Sequence, residues 1–435
     1  MKKNKPNIPF NEFFLHYIWR TKQIINQQLI TTDGKPIEIV HFGHYNEDSG
    51  PDFLHGIVKI ENTTWVGNIE IHVLSSDWDK HNHQHDKAYD NVILHVVYFY
   101  DKEIQQDGRK VPCLSLYNKI PKVLIKRYHE LIKSKKWIPC AGVLQHVDPS
   151  VFNLWKDRLL LEKLKEKETL ISRLLHKYTF DWETCFYILL ARYFGGKVND
   201  IPFEALADRT PLDLVRKNAD DTLMIQALFF GQSGLLENEC IHPYTVTLQS
   251  NYRFLKAKYN LTPLQPVVWK FSKLRPPNFP TVRLAEFSTL KNLGSSLFHA
   301  LCEADNLKTM HELIQTQPDD YWSNHYVFKT YAKVIHKNIT NDFRNHLLIN
   351  AFLPLVFVFA KTYGQDQRID WILKIFGEMK KENNKIIRQW EGSGMSVHTA
   401  LDSQALLYLY SDYCSKKHCL SCRIGHQIMK QSPPG

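Results

Sequence analysis

The chain has 435 residues, 43% hydrophobic and 23% charged, with a formal net charge of +10 and 21 histidines. That is ordinary globular usage, and the length predicts two domains. No stretch reaches the ~20 uninterrupted apolar residues of a membrane span: Leu347 to Lys361 is interrupted by Asn350 and Pro354 and reads as a short buried helix. The basic N-terminus lacks the apolar run of a secretion signal, so the expected location is the cytoplasm, with no membrane partner and with the eight cysteines as thiols or metal ligands.

In chain order, Asn11 to Ile25 predicts a helix with Phe14, Ile18 and Ile25 on its apolar side. Asp33-Gly34 signals a turn before a strand over Pro36 to Phe42, and Gly50-Pro51 breaks the chain again. Strands follow over Phe53 to Ile60 and Trp65 to Val73, joined by a tight turn at Glu61 to Thr63. Asp77 to Asn91 is polar, a loop with a short helix, and Val92 to Tyr100 reads as a buried strand. Lys119 to Trp137 predicts a basic helix bridging two parts. From about residue 146 helical periodicity dominates, over Val151 to Tyr178, Trp182 to Phe194, Pro211 to Phe230 and much of 284–415, with breaks from Phe203, over Pro263 to Pro280, and over Gly392 to Ser396. The expected architecture is an α+β domain over 1–145, a mixed sheet with flanking helices, followed by a basic, mostly α-helical domain over 146–435. Residues 1–150 hold 19 basic and 17 acidic side chains, leaving 36 and 28 beyond them, so the excess of positive charge sits in the helical part. Such an excess fits a polyanionic partner, and equally a solvated helical face.

Three constellations carry chemistry. Residues two apart on a strand share a face, so Glu70 and His72 share one and Ile69, Ile71 and Val73 the other. The apolar face is expected to pack inward and the Glu70/His72 face to open onto a site, with Asp52 at the start of the adjacent strand. Two adjacent carboxylates repel unless a proton or cation intervenes; Mg²⁺ or Mn²⁺ suits their hard oxygens. The alternative is a turn-capping aspartate and an exposed strand face. The second constellation is His81, His83, His85 and Asp86, three imidazoles on one side of an extended segment, or His81 and His85 on one helix face, with His95 on the next strand; they are candidate metal ligands or a polar loop. The third is Cys414-x4-Cys419-x2-Cys422, with Cys140 as candidate fourth ligand of zinc or an iron–sulfur cluster and His418 and His426 in reserve. Cys113, Cys185, Cys240 and Cys302 read as core.

Arg275 and Arg283, in the proline-braced Leu274 to Arg283 loop, can clamp nucleic-acid phosphates or pin the loop to acidic helices. Gly231-Gln-Ser-Gly234 lacks the lysine and strand context of a P-loop.

Asn46-Glu-Asp-Ser-Gly-Pro-Asp-Phe53, Trp65 to His72, Asp77-Trp78 through His95-Val96-Val97, Phe230 to Leu235, Leu274 to Arg283 and Tyr413 to Gly425 resemble, together, a bacterial domain-of-unknown-function family over essentially the whole chain. That resemblance carries no activity with it. Pro51-Asp52 followed by Glu70-Ile71-His72 is also similar to the PD-(D/E)xK nuclease signature, with histidine in the lysine position. This second resemblance implies a restriction-endonuclease-like core of helix, three strands, helix and strand. It also implies a catalytic set of Asp52, Glu70 and His72 completed by Glu12 on the first helix, a divalent cation, and nucleic-acid phosphodiesters as substrate. His72 departs from the pattern: it is a protonated stand-in for lysine, a neutral metal ligand, or the mark of an inactive nucleic-acid-binding or assembly module. A metallohydrolase of small phosphoesters built on the histidine cluster is the further alternative. The cysteine arrangement resembles the iron–sulfur staple of some helicase-associated and CRISPR-associated nucleases, with different spacing.

Overall fold

The computed structural model describes residues 8–25, 28–236, 242–328, 330–332 and 338–430. The chain forms two compact units. The first combines Met1–Trp155 with Gln389–Met395 and Leu409–Gly435; the second holds Lys156–Arg388 and Ser396–Tyr408. A boundary at residue 145 therefore falls short of the first unit's end, and the C-terminal cysteines belong with that unit, not with the helical one.

In the first unit, helix α1 (Glu12–Arg20) precedes strands β1 (Ile37–His41), β2 (His44–Tyr45), β3 (Phe53–Ile60) and β4 (Thr63–Leu74). Helix α2 (Asp77–Lys80) and two 3-10 turns lead to β5 (Val92–Phe99). A small hairpin, β6 (Gln105–Gln106) and β7 (Arg109–Lys110), leads to β8 (Cys113–Ser115) and helix α3 (Lys122–Lys133). The main sheet runs β1-β3-β4-β5-β8, with β2 also on β3. It is mixed: β1, β3 and β4 form an antiparallel meander, whereas β5 joins β4 and β8 joins β5 in parallel. The unit is thus α+β.

Helix α1 is shorter than its apolar pattern suggests. Thr21 turns its hydroxyl back onto the Tyr17 carbonyl and Lys22 adopts a positive φ of 56°, which ends the helix before Ile25. Phe14, Leu15, Ile18 and Trp19 bury completely, and Phe14 stacks on Tyr128 of α3 at 4.7 Å. Helix α3 lies within the first unit. Strand β8 was not anticipated, although Cys113, Leu114 and Leu116 are all buried.

Among the described residues the second unit is mostly helical, with one two-stranded ribbon (His325–Val327 and Thr330–Tyr331). The helix expected over Val151 to Tyr178 is broken into Pro149–Asn153, Lys156–Lys165 and Glu168–Lys177, the first of these lying in the first unit. The break expected from Phe203 is absent: Gly196–Asp208 runs through Pro202 and is kinked at Asn199. The buried helix expected over Leu347 to Lys361 is present and runs longer, Asn341–Tyr363, with a π turn over Leu348–Phe352 just before Pro354. It is long and apolar enough to cross a membrane, but 72% of its most apolar window is buried within the protein, as in a core helix.

The motif Phe230 to Leu235 proves structural. Tyr252 lies over Gly231 so closely that a Cβ there would stand 2.0 Å from the ring. The Tyr252 hydroxyl donates to Gln232 at 2.9 Å, and Gln232 donates to the Arg209 carbonyl at 2.8 Å.

Candidate metal centre

The site forms where the antiparallel meander meets the parallel half of the sheet. Phe53 pairs with Ile69, which sets Asp52 beside Glu70, and Glu70 pairs in turn with His95 on β5. The Asp52 amide donates to Glu70 Oε2 at 3.0 Å, and the Ile71 amide donates to Asp52 Oδ2 at 2.9 Å. Glu70 and His72 share a face, as strand geometry requires, but that face is not open. Glu70 is 4% and His72 1% exposed, while Ile69 and Ile71 on the opposite face are buried as well. The exposed-strand alternative therefore falls away.

Two short stretches cover this face. Glu12 and His16, four residues apart on α1, reach it together, and His16 Nε2 lies 3.2 Å from Asp52 Oδ2. After α2, Asn82 adopts a left-handed conformation (φ 62°, ψ 27°), which asparagine tolerates, between His81 and His83. The reversal aims both imidazoles inward, an arrangement that neither an extended segment nor a helix face supplies. His85 lies exposed outside the group. Trp78, fully buried, packs edge-on to His72 and His83, and Tyr89 stacks on His83 at 3.9 Å.

The donors converge at coordination spacing. His72 Nε2 is 3.1 Å from His81 Nδ1 and 3.5 Å from Glu70 Oε1, and His83 Nε2 is 3.4 Å from the same oxygen. Metal–ligand bonds of 2.0–2.1 Å in a tetrahedron imply ligand–ligand edges of about 3.3 Å. Among the described residues, His72, His81 and His83 form the one group of three His, Cys, Asp or Glu ligand atoms mutually within 4.8 Å. His83 Nε2 is buried without a hydrogen-bond partner, a costly state that a cation would relieve. His72 Nδ1 meets His95 Nε2 at 2.9 Å, so His95 sits where an outer partner fixes a ligand's tautomer.

Electrostatics agree with this geometry. Burial, then repulsion from Asp52, pushes the Glu70 carboxyl far above the usual carboxylate range. Burial and the neighbouring imidazoles hold His72 far below the usual histidine value, so it is neutral and cannot mimic a lysine cation. Burial lowers His83 and takes His95 down to about 3. For His16 burial also acts downward, but the Asp52 carboxylate 3.2 Å away, with Glu12 and Glu70, outweighs it and raises the imidazole. Burial raises Glu12.

A family model described as "Protein of unknown function (DUF2851)" matches residues 12–385, a stretch that contains every residue of this site. The chain belongs to the DUF2851 family. No curated protein and no solved structure matches it. The DUF2851 stretch thus runs from Glu12 through both covering segments and most of the helical unit.

The remaining candidates separate. In the helical unit, Arg283 is a pin: its guanidinium contacts Glu286 at 2.7 Å and Asn278 at 2.6 Å and lies 3.7 Å over the Phe343 ring. With 14% of its side chain exposed it is unsuited to clamping a phosphate, whereas Arg275 is exposed. Cys140, Cys414, Cys419 and Cys422 line one small cavity in the first unit. Cys113 and Cys185 are buried core thiols, Cys302 is half-buried, and Cys240 lies outside the described residues. Sequence reasoning missed His16, whose only signal was its i, i+4 spacing from Glu12.

Proposed function

We propose that the protein is a metal-dependent hydrolase of phosphodiesters, with nucleic acid as the substrate class. The observation that carries this reading is the cluster of His72, His81 and His83, with Glu70 Oε1 3.5 Å from His72 and 3.4 Å from His83, beside the Asp52–His16 pair. Three imidazoles and one carboxylate favour Zn²⁺ or Mn²⁺ over Mg²⁺. Such an ion supplies a water acidified at neutral pH and neutralises charge on a phosphoryl oxygen. Asp52, fixed by the Ile71 amide, and His16, whose imidazole the Asp52 carboxylate raises, form an acid–base pair next to the site. His81 is exposed, so the site reaches solvent.

The order of helix, antiparallel meander, short helix and parallel strand, with Asp52 and Glu70 side by side, favours a nuclease-like core of the PD-(D/E)xK kind. In this reading His72 has exchanged the lysine's role for that of a ligand. A groove of about 940 Å³ in the same unit has Leu131, Pro139, Val143 and Ile428 in its wall, and the Arg127, Lys135, Lys136 and His146 that also line it offer positive charge to a polyanion.

The test is cleavage of single- and double-stranded DNA and RNA by chelated, then Zn²⁺-, Mn²⁺- or Mg²⁺-loaded protein. Metal-dependent cleavage lost in Asp52→Asn supports the proposal. A protein that binds metal and cuts none of these substrates overturns it.

A further inference from the structure

A second cluster stands apart from the histidine site. Cys140 follows the Pro139 turn after α3, and Cys414 closes the π turn of Leu409–Cys414. A tight loop then carries Cys419 and Cys422 to the last helix, Arg423–Lys430. That loop is closed by the His418 amide on the Tyr413 carbonyl at 2.8 Å and by Lys417 in a left-handed conformation (φ 56°). Gly425 lets it wrap tightly: a Cβ there would lie 2.0 Å from the Cys419 carbonyl oxygen. The four sulfur-bearing side chains thus line one cavity, with Leu131 and Tyr413 completing its wall.

We propose that Cys140, Cys414, Cys419 and Cys422 ligate a thiophilic metal centre, zinc or an iron–sulfur cluster, that ties the chain's last segment to the sheet-bearing unit. Four cysteines from two segments 274 residues apart (414 minus 140) meet here, and they are all of one soft-ligand type. Core packing alone needs no such coincidence, and the described cysteines are free thiols, so disulfide pairing does not account for it. Burial raises all four thiols, so each is a protonated thiol that a soft cation would have to deprotonate on binding; the backbone N–H groups of Gly425 and Ile424 at Cys422 and the Lys417 ammonium at Cys419 act in the opposite sense.

Among the described residues, no three of these sulfurs lie mutually within 4.8 Å. A tetrahedral zinc ion would draw them to edges of about 3.8 Å, whereas a cuboidal cluster holds its thiolates further apart. This centre does not depend on the function proposed for the histidine site.

The experiment is metal and labile-sulfide analysis of the full chain purified anaerobically, with its visible spectrum. To set aside the histidine site, it is repeated in His81→Ala/His83→Ala. About one zinc per chain, replaceable by Co²⁺ with intense sulfur-to-cobalt charge-transfer absorption, supports a zinc centre. Brown protein with iron and sulfide supports a cluster. In either case Cys419→Ser/Cys422→Ser should lower the signal at least tenfold, while Cys302→Ser leaves it unchanged. Should the double variant fail to fold, the wild-type spectrum still decides. A wild-type chain that holds neither metal and takes up neither on reconstitution overturns the proposal, as does full sulfur-ligated metal in the double variant.

Discussion

The Asp52 amide donates to the Glu70 carboxylate across the β3–β4 pair, at 3.0 Å, so one carboxylate is oriented by the backbone of the residue carrying the other. The two acids are held side by side although they repel each other, and the repulsion contributes to raising Glu70. In the metal-free protein Glu70 therefore keeps its proton at neutral pH. A cation must displace that proton, so metal uptake at pH 7 should release about one proton and apparent affinity should rise with pH. Calorimetry in buffers of differing ionisation enthalpy reads the proton count; uptake with no proton release contradicts the assignment of Glu70 as a ligand.

Removing a ligand should be far costlier than removing its neighbour in sequence. His83→Ala is expected to weaken Zn²⁺ or Mn²⁺ binding by more than about 100-fold. His95→Gln, which alters the partner of His72 and not a ligand, should weaken it about 10- to 100-fold. His85→Ala should leave binding unchanged, since His85 is exposed and outside the group. Competition against a chromogenic chelator measures all three.

The buried neutral His95 makes the metal-free protein sensitive to acid. Its value falls from 6.5 to about 3 on folding. The unfolded chain therefore binds more protons between those limits, and stability is lost as pH falls through that window, by at most about 1.4 kcal/mol per pH unit for this one group. Denaturant titrations of His95→Phe between pH 3 and 6.5 should show a slope flatter by up to one proton.

Arg283 and Arg275 should divide cleanly between stability and surface. Arg283→Ala leaves the buried Glu286 carboxylate without its cation and should cost about 3 kcal/mol or more in urea denaturation. Arg275→Ala, at an exposed position, should stay within about 0.5 kcal/mol of the parent.

Gly231→Ala drives a methyl group into the Tyr252 ring and should destabilise by about 1–3 kcal/mol, read as a lower midpoint in the same titration. An unchanged midpoint would show that the two helices part without cost.

Much of this was legible in the chain because it rests on period and chemistry. The two-residue period of β4 put Glu70 with His72, and the Pro51-Asp52 turn began the adjacent strand beside them. What escaped reading depends on the third dimension. That the Glu70/His72 face is buried follows from α1 folding over it, which no alternation within β4 reveals. The inward aim of His81 and His83 rests on one left-handed residue, Asn82, which periodicity cannot register. Strand β8 was missed because three residues are too few to show a period.

The interrupted layout of the first unit has a consequence for how the chain is made. Residues 409–430 belong to the same compact body as residues 8–155, yet about 250 residues are synthesised between them. At roughly 5–20 residues per second, the sheet waits on the order of 10–50 s for its missing piece. Throughout that interval the helical unit is itself incomplete until Ser396–Tyr408 emerges, and the side of the sheet-bearing unit that receives Cys414, Cys419 and Cys422 stays uncovered on the ribosome, with Cys140 alone in place. Nascent chains stalled before residue 409 should therefore be the species most dependent on chaperones.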